Sequence, residues 1–257
     1  MEQQSGLDNT NRQNIGFKEN SMLRFDTVLF DLDGTTIDTN ELIIESIQHV
    51  WTSRYGRRLE REVIIPQMGR TLEQQFQAFT GEDDVSELVA EYRKFNYAAH
   101  DDYVKPFPYV QEVLRALRSN GAKLGVVTTK KRASTMRSLA WCGLDDLFDV
   151  IVTLEDVTHP KPHPEPVLTS MKRLGAIAER TLMVGDSPFD IQSAHAAGAV
   201  SAAVGWSLKG EQELLRFHPQ HIIRDMRELL PLVGIPMASV PMAAPGAAGF
   251  TVTESEE

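Results

Sequence analysis

Asp26-Thr27-Val28-Leu29-Phe30-Asp31-Leu32-Asp33-Gly34-Thr35-Thr36 is the stretch on which the reading of this chain turns. Val28, Leu29 and Phe30 form a short apolar run of the kind that makes a buried parallel strand. The run leads straight into two carboxylates one residue apart, Asp31 and Asp33, and then Gly34. Two readings compete. One is a polar strand end entering a turn. The other is a metal site at the carboxyl edge of a parallel sheet, where open α/β folds place their ligands. Asp-x-Asp alone favours neither, so the rest of the chain has to decide.

C-terminal to this stretch, apolar residues at Ile43, Ile47, Val50 and Trp51 follow helical spacing. More helical pattern follows from Thr71 to Phe79 and from Val85 to Tyr97, with no alternating strand pattern between Thr39 and Lys105. From Pro108 onward, strands and helices alternate. Strands are expected at Lys123–Thr128, Phe148–Thr153, Thr181–Gly185 and Ser201–Val204. Helices are expected after Val110, over Arg132–Cys142, around Val167–Leu174 and over Asp190–Ala197, with His221–Ile223 and Met226–Leu230 as a last strand and helix. Repeated strand–helix units predict an α/β fold with a parallel sheet covered on both faces. The expected division is a core of residues 25–38 and 106–232, a helical domain at 39–105, and tails at 1–24 and 233–257.

The chain has 257 residues and a net charge of −10, which argues against a nucleic-acid binder. An anionic substrate must then be drawn in by a local positive site. The single cysteine, Cys142, excludes an intrachain disulfide and is compatible with a cytoplasmic location. Residues 1–20 are rich in Gln, Asn and Ser, lack the apolar core of a signal peptide, and read as disordered. The uncharged run Pro231–Phe250 is long enough to suggest a membrane span. Four prolines and three glycines break it, so no membrane association is expected and a flexible tail is the better reading.

Three polar clusters fall where expected strands end: Asp31 with Asp33, Thr128 with Thr129, and Asp186 with Asp190. In a parallel sheet these ends share one edge, so the groups converge. Asp31, Asp33 and Asp186 offer hard oxygen ligands that suit Mg²⁺. Asp186 alternatively caps the next helix, and Asp190 alternatively complements its dipole. Thr128 and Thr129 are either hydroxyl and amide donors for an anion or ordinary strand-end threonines. Lys161 lies in His159-Pro160-Lys161-Pro162-His163-Pro164-Glu165-Pro166, a loop stiffened by proline that can hold one ammonium at small entropic cost. His159 and His163 suggest zinc, but no cysteine or third histidine is spaced to help. Arg70, in Met68-Gly69-Arg70-Thr71, sits between two expected helices and is either a substrate contact or a surface arginine.

Asp31-Leu32-Asp33-Gly34-Thr35, Thr128, Lys161 and Asp186 resemble, in order, the four motifs of the haloacid-dehalogenase superfamily in its phosphatase form. The resemblance spans roughly Phe25 to Leu230. It implies that the helical insert is a cap over the site and that Asp31 is a nucleophile forming an aspartyl-phosphate. It implies that Asp33 is the general acid and base, its carbonyl also meeting the metal. Thr128 would bind the transferring phosphoryl group, with Gly34, Thr129 and Arg70 as further substrate contacts. Lys161 would balance charge, and Asp190 would orient Lys161 or metal-bound water. The dehalogenases themselves use one aspartate and no metal, so the second acid, Asp33, points to phosphoryl chemistry.

Asn40-Glu41-Leu42-Ile43, Val126-Val127-Thr128-Thr129-Lys130, Val152-Thr153-Leu154-Glu155-Asp156-Val157 and Trp206-Ser207-Leu208-Lys209-Gly210 resemble more particularly the PpaX-type inorganic pyrophosphatases. That family cleaves pyrophosphate formed when the phosphocarrier HPr is dephosphorylated, so a small phosphate-containing substrate and a Mg²⁺-dependent enzyme are implied; the sequence does not settle the oligomeric state, and a monomer is the expectation. Thr36, where leucine is usual, Arg70 and both tails depart from the pattern. Phosphoglycolate phosphatase is the alternative implied activity, and a phosphomutase of the β-phosphoglucomutase kind a further one. A non-catalytic phosphoprotein-binding module is disfavoured by the intact Asp31 and Asp33.

Overall fold

The computed structural model describes residues 23–240; the expected lead-in through residue 22 and the segment 241–257 lie outside the described residues. From β1 (Thr27–Phe30) the chain turns into a two-residue strand, β2 (Ile37–Asp38). Four helices follow: α1 (Asn40–Tyr55), α2 (Arg61–Ile64), α3 (Leu72–Thr80) and α4 (Ser86–Tyr103). β3 (Lys105–Pro106) then pairs antiparallel with β2, so the helical insert leaves and rejoins the chain through a two-stranded ribbon. The remaining helices are α5 (Val110–Ser119), α6 (Arg132–Trp141), α7 (Glu165–Leu174), α8 (Pro188–Ala196), α9 (Glu211–Leu215) and α10 (Leu229–Val233). They alternate with β4 (Lys123–Val127), β5 (Val150–Val152), β6 (Thr181–Gly185), β7 (Val200–Val204) and β8 (His221–Ile223).

The large sheet has the order β5-β4-β1-β6-β7-β8, parallel throughout. β1 therefore lies between β4 and β6, and all four of its residues are buried. Its side chains still alternate. Val28 and Phe30 pack with Leu114 and Leu117 of α5, while Leu29 packs with Val167 and Met171 of α7 on the other face. An unbroken apolar run is what a strand covered on both faces requires. Gly125 in β4 allows close approach of α7: a Cβ there would stand 2.8 Å from both Leu29 Cδ2 and Ser170 Oγ. The insert has its own apolar core, built on Ile44, Ile47, Phe76 and Leu88.

Several boundaries differ from the sequence reading. β5 begins at Val150, because the Asp149 carboxylate accepts the Leu124 N–H at 2.9 Å and bends the chain just before it. α8 begins at Pro188, with Ser187 and Asp190 forming a reciprocal capping box. α4 runs six residues past Tyr97, to Tyr103. The tail boundaries at 24 and 233 are corrected. Val233 closes α10, its carbonyl accepts the Arg24 N–H at 2.9 Å, and Ile235 and Val240 are buried in the main core. These apolar residues are buried in that core, so the packed chain extends to Val240.

Asp156 fastens the loop that leads toward Lys161. Its carboxylate accepts the Thr153 N–H (2.8 Å) and hydroxyl (2.7 Å), and pairs with Arg132 of α6 (2.6 Å) and Arg173 of α7 (2.9 Å). Burial raises the Asp156 pKa, but the Thr153 donors and the two guanidinium groups outweigh it and hold the carboxyl well below the usual range. Asp156→Asn is expected to lower stability at neutral pH by about 1–2 kcal/mol, as measured by urea denaturation. A depressed folded-state pKa contributes stability above the unfolded value, about 3.9, and loses it as pH falls through the folded value. The gap between wild type and variant should therefore begin to narrow below about pH 4 and keep narrowing as the pH falls further; a gap that stayed constant through the acid range would contradict the assignment.

Candidate active site

The central strands place the acids. β1 ends directly before Asp31, whose N–H donates to Val184 of β6 at 2.9 Å. β4 ends before Thr128 and β6 before Asp186, so the three strand ends gather their polar residues at one edge of the sheet. Lys161 reaches the same point from the proline-rich loop. Its ammonium donates to Asp31 Oδ1 (2.8 Å), Asp190 Oδ1 (2.5 Å) and the Val127 carbonyl (2.9 Å), which uses all three of its hydrogens. Asp190 is held in turn: its Oδ2 accepts the N–H (3.1 Å) and hydroxyl (2.5 Å) of Ser187. One carboxylate thus both starts helix α8 and orients the lysine.

Carboxylate oxygens of Asp31, Asp186 and Asp190 lie within 4.8 Å of one another, all on buried residues. Three carboxylates against one ammonium leave two negative charges, the charge a divalent cation supplies. Burial pushes the Asp31 carboxyl well above its usual range despite Lys161, and burial likewise pushes Asp186 up to about 6. No hydrogen bond from the described residues reaches the Asp186 carboxylate, although the residue is only 6% exposed. The Asp33 carbonyl also accepts none among the described residues. A buried carboxylate without donors, an unpaired carbonyl and a second crowded carboxylate are a hard-oxygen set that fits Mg²⁺. Gly34 makes room for it: φ is +80°, and a Cβ would stand 2.6 Å from Asp186 Oδ2.

Asp33 stands apart from this cluster. Its Oδ1 accepts the Thr39 hydroxyl (2.7 Å) and the Lys130 ammonium (2.8 Å), while Oδ2 has no partner among the described residues. Thr39 precedes α1 but spends its hydroxyl here instead of capping the helix. Thr128 is buried and its Oγ1 accepts the Lys130 N–H at 3.2 Å, leaving its own hydrogen to donate. The Thr129 hydroxyl donates to the Gly69 carbonyl (3.2 Å) and so ties the core to the insert. The backbone N–H groups of Leu32, Asp33 and Thr129 have no acceptor among the described residues. They are available to an anion.

These residues line a cavity of about 350 Å³ between the sheet edge and the insert. Arg70 and Arg93 enter its wall from the insert, Lys130 and Lys131 from the loop before α6, and Arg137 from α6 itself. Glu73 and Glu155 line the same cavity, and Arg93 pairs with Glu73, Arg137 with Asp101 and Lys130 with Asp33, so Arg70 and Lys131 are the cations of the wall without a carboxylate partner among the described residues. Arg70 has no carboxylate partner among the described residues and lies over the Phe189 ring at 5.3 Å. The sequence reading did not single out Lys130, Tyr92 or Asn96 as site residues. Lys130 follows Thr128 and Thr129 on the same strand-end loop, which is a usable signal. Tyr92 and Asn96 carry none, because only the packing of α4 brings them to the cavity. His159, His163 and Glu165 gather separately on the outer part of the loop, with His159 Nδ1 2.9 Å from Glu165 Oε2.

The family model for haloacid dehalogenase-like hydrolases matches residues 28–204. The pyrophosphatase PpaX of Halalkalibacterium halodurans is 44% identical over 213 residues, which is 83% of this chain and 99% of that protein. The pyrophosphatase PpaX of Bacillus cereus is 43% identical over 211 residues, 82% of this chain and 97% of that protein. A haloacid dehalogenase-like hydrolase from Bacteroides fragilis superposes with a TM-score of 0.73 at 30% identity, covering 80% of this chain and 99% of its own.

Proposed function

Because the chain belongs to the haloacid dehalogenase-like hydrolases, we propose that it is a Mg²⁺-dependent inorganic pyrophosphatase working through an aspartyl-phosphate on Asp31. The observation that carries the choice of pyrophosphate is the 43–44% identity to PpaX pyrophosphatases over nearly their whole length. Arg70 and Lys131, unpaired cations among the described residues in the wall of a cavity of about 350 Å³, support it, since a small polyanion has charge at both ends. No helix among the described residues is long and apolar enough to cross a membrane, and the single thiol, Cys142, is buried; both are compatible with a cytoplasmic enzyme.

In this reading an Asp31 carboxylate oxygen attacks one phosphorus in line with the bridging oxygen. The free N–H groups of Leu32, Asp33 and Thr129 and the Thr128 hydroxyl surround the transferring phosphoryl oxygens, and the Lys161 ammonium, bound to Asp31, balances their charge. Asp33, through its unpartnered Oδ2, gives its proton to the departing phosphate as the bridging P–O bond breaks. The same carboxylate then takes a proton from water, which attacks the phosphorus of the acyl phosphate and restores Asp31. Asp31, Asp186 and the Asp33 carbonyl would hold Mg²⁺, which when bound would supply charge neutralisation. Asp190 keeps Lys161 in place at 2.5 Å.

Gly34→Ala tests the metal part of this reading. The added methyl group displaces the Asp186 carboxylate, so the Mg²⁺ activation curve is expected to move about tenfold to higher concentration; an unmoved curve would count against Asp186 as a ligand. The substrate is tested by initial rates of phosphate release from pyrophosphate, phosphoglycolate and β-glucose 1-phosphate under saturating Mg²⁺. The expected result is a kcat/KM for pyrophosphate at least about tenfold above the others, equivalent to roughly 1.4 kcal/mol of transition-state preference. A preference for phosphoglycolate would keep the chemistry and overturn the substrate.

A further inference from the structure

We infer that His100, on the last helix of the insert, is a positioning residue for the general acid and base Asp33, acting through Ser138 and Lys130. The inference rests on the mechanistic reading of Asp33 given above but not on the choice of pyrophosphate. His100 is 3% exposed and has a polar partner on each ring nitrogen. Nδ1 lies 2.7 Å from Asp101 Oδ1, and Nε2 lies 2.9 Å from Ser138 Oγ. Lys130 Nζ lies 3.4 Å from the same Ser138 Oγ and 2.8 Å from Asp33 Oδ1. The chain of contacts therefore runs from the insert, through α6, to the acid of the site.

The direction of each hydrogen bond follows from chemistry. Asp101 is held at the surface by Arg137 (2.8 Å), and its carboxyl pKa is lowered by the His100 hydrogen bond and by that guanidinium. An ionised carboxylate only accepts, so His100 Nδ1 carries the hydrogen. Burial lowers the His100 pKa and favours the neutral ring, so Nε2 is an acceptor and takes the Ser138 hydroxyl hydrogen. Ser138 Oγ then presents its lone pair to Lys130, which donates its remaining hydrogens to Asp33 and the cavity. Without His100 the buried Ser138 hydroxyl would be free to rotate and to donate elsewhere, and Lys130 would lose one of its two anchors. Lys130 and Thr39 both bind Oδ1 of Asp33, which is what leaves Oδ2 for the substrate. The chain thus fixes which oxygen of Asp33 does the proton transfer. Trp141 lies edge-on to the imidazole, with ring centroids 6.3 Å apart.

The test reads proton transfer to the leaving group, which a merely structural role would not single out. For a series of aryl phosphates, kcat/KM reports only the steps through P–O cleavage. A substrate such as 2,4-dinitrophenyl phosphate needs no proton on its leaving group, whereas phenyl phosphate does. His100→Ala is expected to lower kcat/KM for phenyl phosphate about 10–100-fold and for the dinitrophenyl ester less than about threefold, within the range general acid catalysis contributes. The dependence on leaving-group pKa should steepen. His100→Gln, whose Oε1 can accept from Ser138, should restore most of the wild-type slope. Ser138→Ala removes the central link with little change of volume, and should steepen the slope even if His100→Ala fails to fold. Asp33→Asn is the control. If Asp33→Asn leaves the slope unchanged, the acid assignment itself is wrong. If Asp33→Asn steepens it while folded His100→Ala and Ser138→Ala do not, the positioning role of His100 is overturned.

Discussion

Asp31→Asn is expected to abolish turnover while leaving the fold intact. The loss should be at least about 10⁴-fold in kcat, or roughly 5.5 kcal/mol, because the amide cannot form the acyl phosphate on which both half-reactions depend. Stability should change little. Asp31 is 5% exposed, and its carboxylate is crowded by Asp186 and Asp190. Burial already pushes that carboxyl well above its usual range. An isosteric amide removes this repulsion and can still offer its oxygen to Lys161 at the present 2.8 Å. Lys161 keeps Asp190 and the Val127 carbonyl in any case. The thermal midpoint should therefore stay within a few degrees of wild type while phosphate release falls to background. Activity near wild type in the folded variant would remove Asp31 as nucleophile.

Removing divalent cations has the second large effect. Chelation with EDTA followed by desalting is expected to lower pyrophosphate hydrolysis by at least about 10³-fold, and Mg²⁺ to restore it. Without a cation, Asp31, Asp186 and Asp190 face each other with only Lys161 between them. A bound dianionic phosphoryl group would add more negative charge. Cation binding should also be visible without turnover. Mg²⁺ at about one hundred times its dissociation constant should stabilise the fold by about 2.7 kcal/mol, read as a rise in thermal midpoint. Asp186→Asn should lose most of that rise, since no hydrogen bond from the described residues otherwise engages its carboxylate. Full activity in the chelated enzyme, or a Mg²⁺-induced rise unchanged in Asp186→Asn, would contradict the carboxylate site.

The α/β class was legible because the signal lies in period and punctuation. β1 reads as an apolar run, α5 and α7 carry apolar stripes, and glycines close α7 and follow α5. The convergence of Asp31, Thr128 and Asp186 was legible as well, because parallel topology alone brings strand ends together. What the sequence withheld depends on contacts distant along the chain. β2 and β3 are two residues each, one of them Pro106, too short for any period to show. Val233, Ile235 and Val240 sit among prolines and glycines that suggest a loose tail, yet their apolar side chains find the core. The Thr129 hydroxyl bonds to Gly69, sixty residues earlier in the chain. Lys130 reaches Asp33, 97 residues away, and no local pattern encodes that pairing. Glu165 joins His159 and His163 only because the proline-rich loop folds back on the start of α7.

The central claim is that pyrophosphate is cleaved by way of a phosphoryl group carried on Asp31. Rapid acid quench of the Mg²⁺-loaded enzyme with ³²P-labelled pyrophosphate, followed by proteolysis and mass spectrometry, tests it directly. The account predicts a transient label on the peptide containing Asp31, lost in Asp31→Asn and removed by hydroxylamine as an acyl phosphate is. Rapid release of phosphate with no label on the protein at any quench time, or a label on another residue, would contradict it.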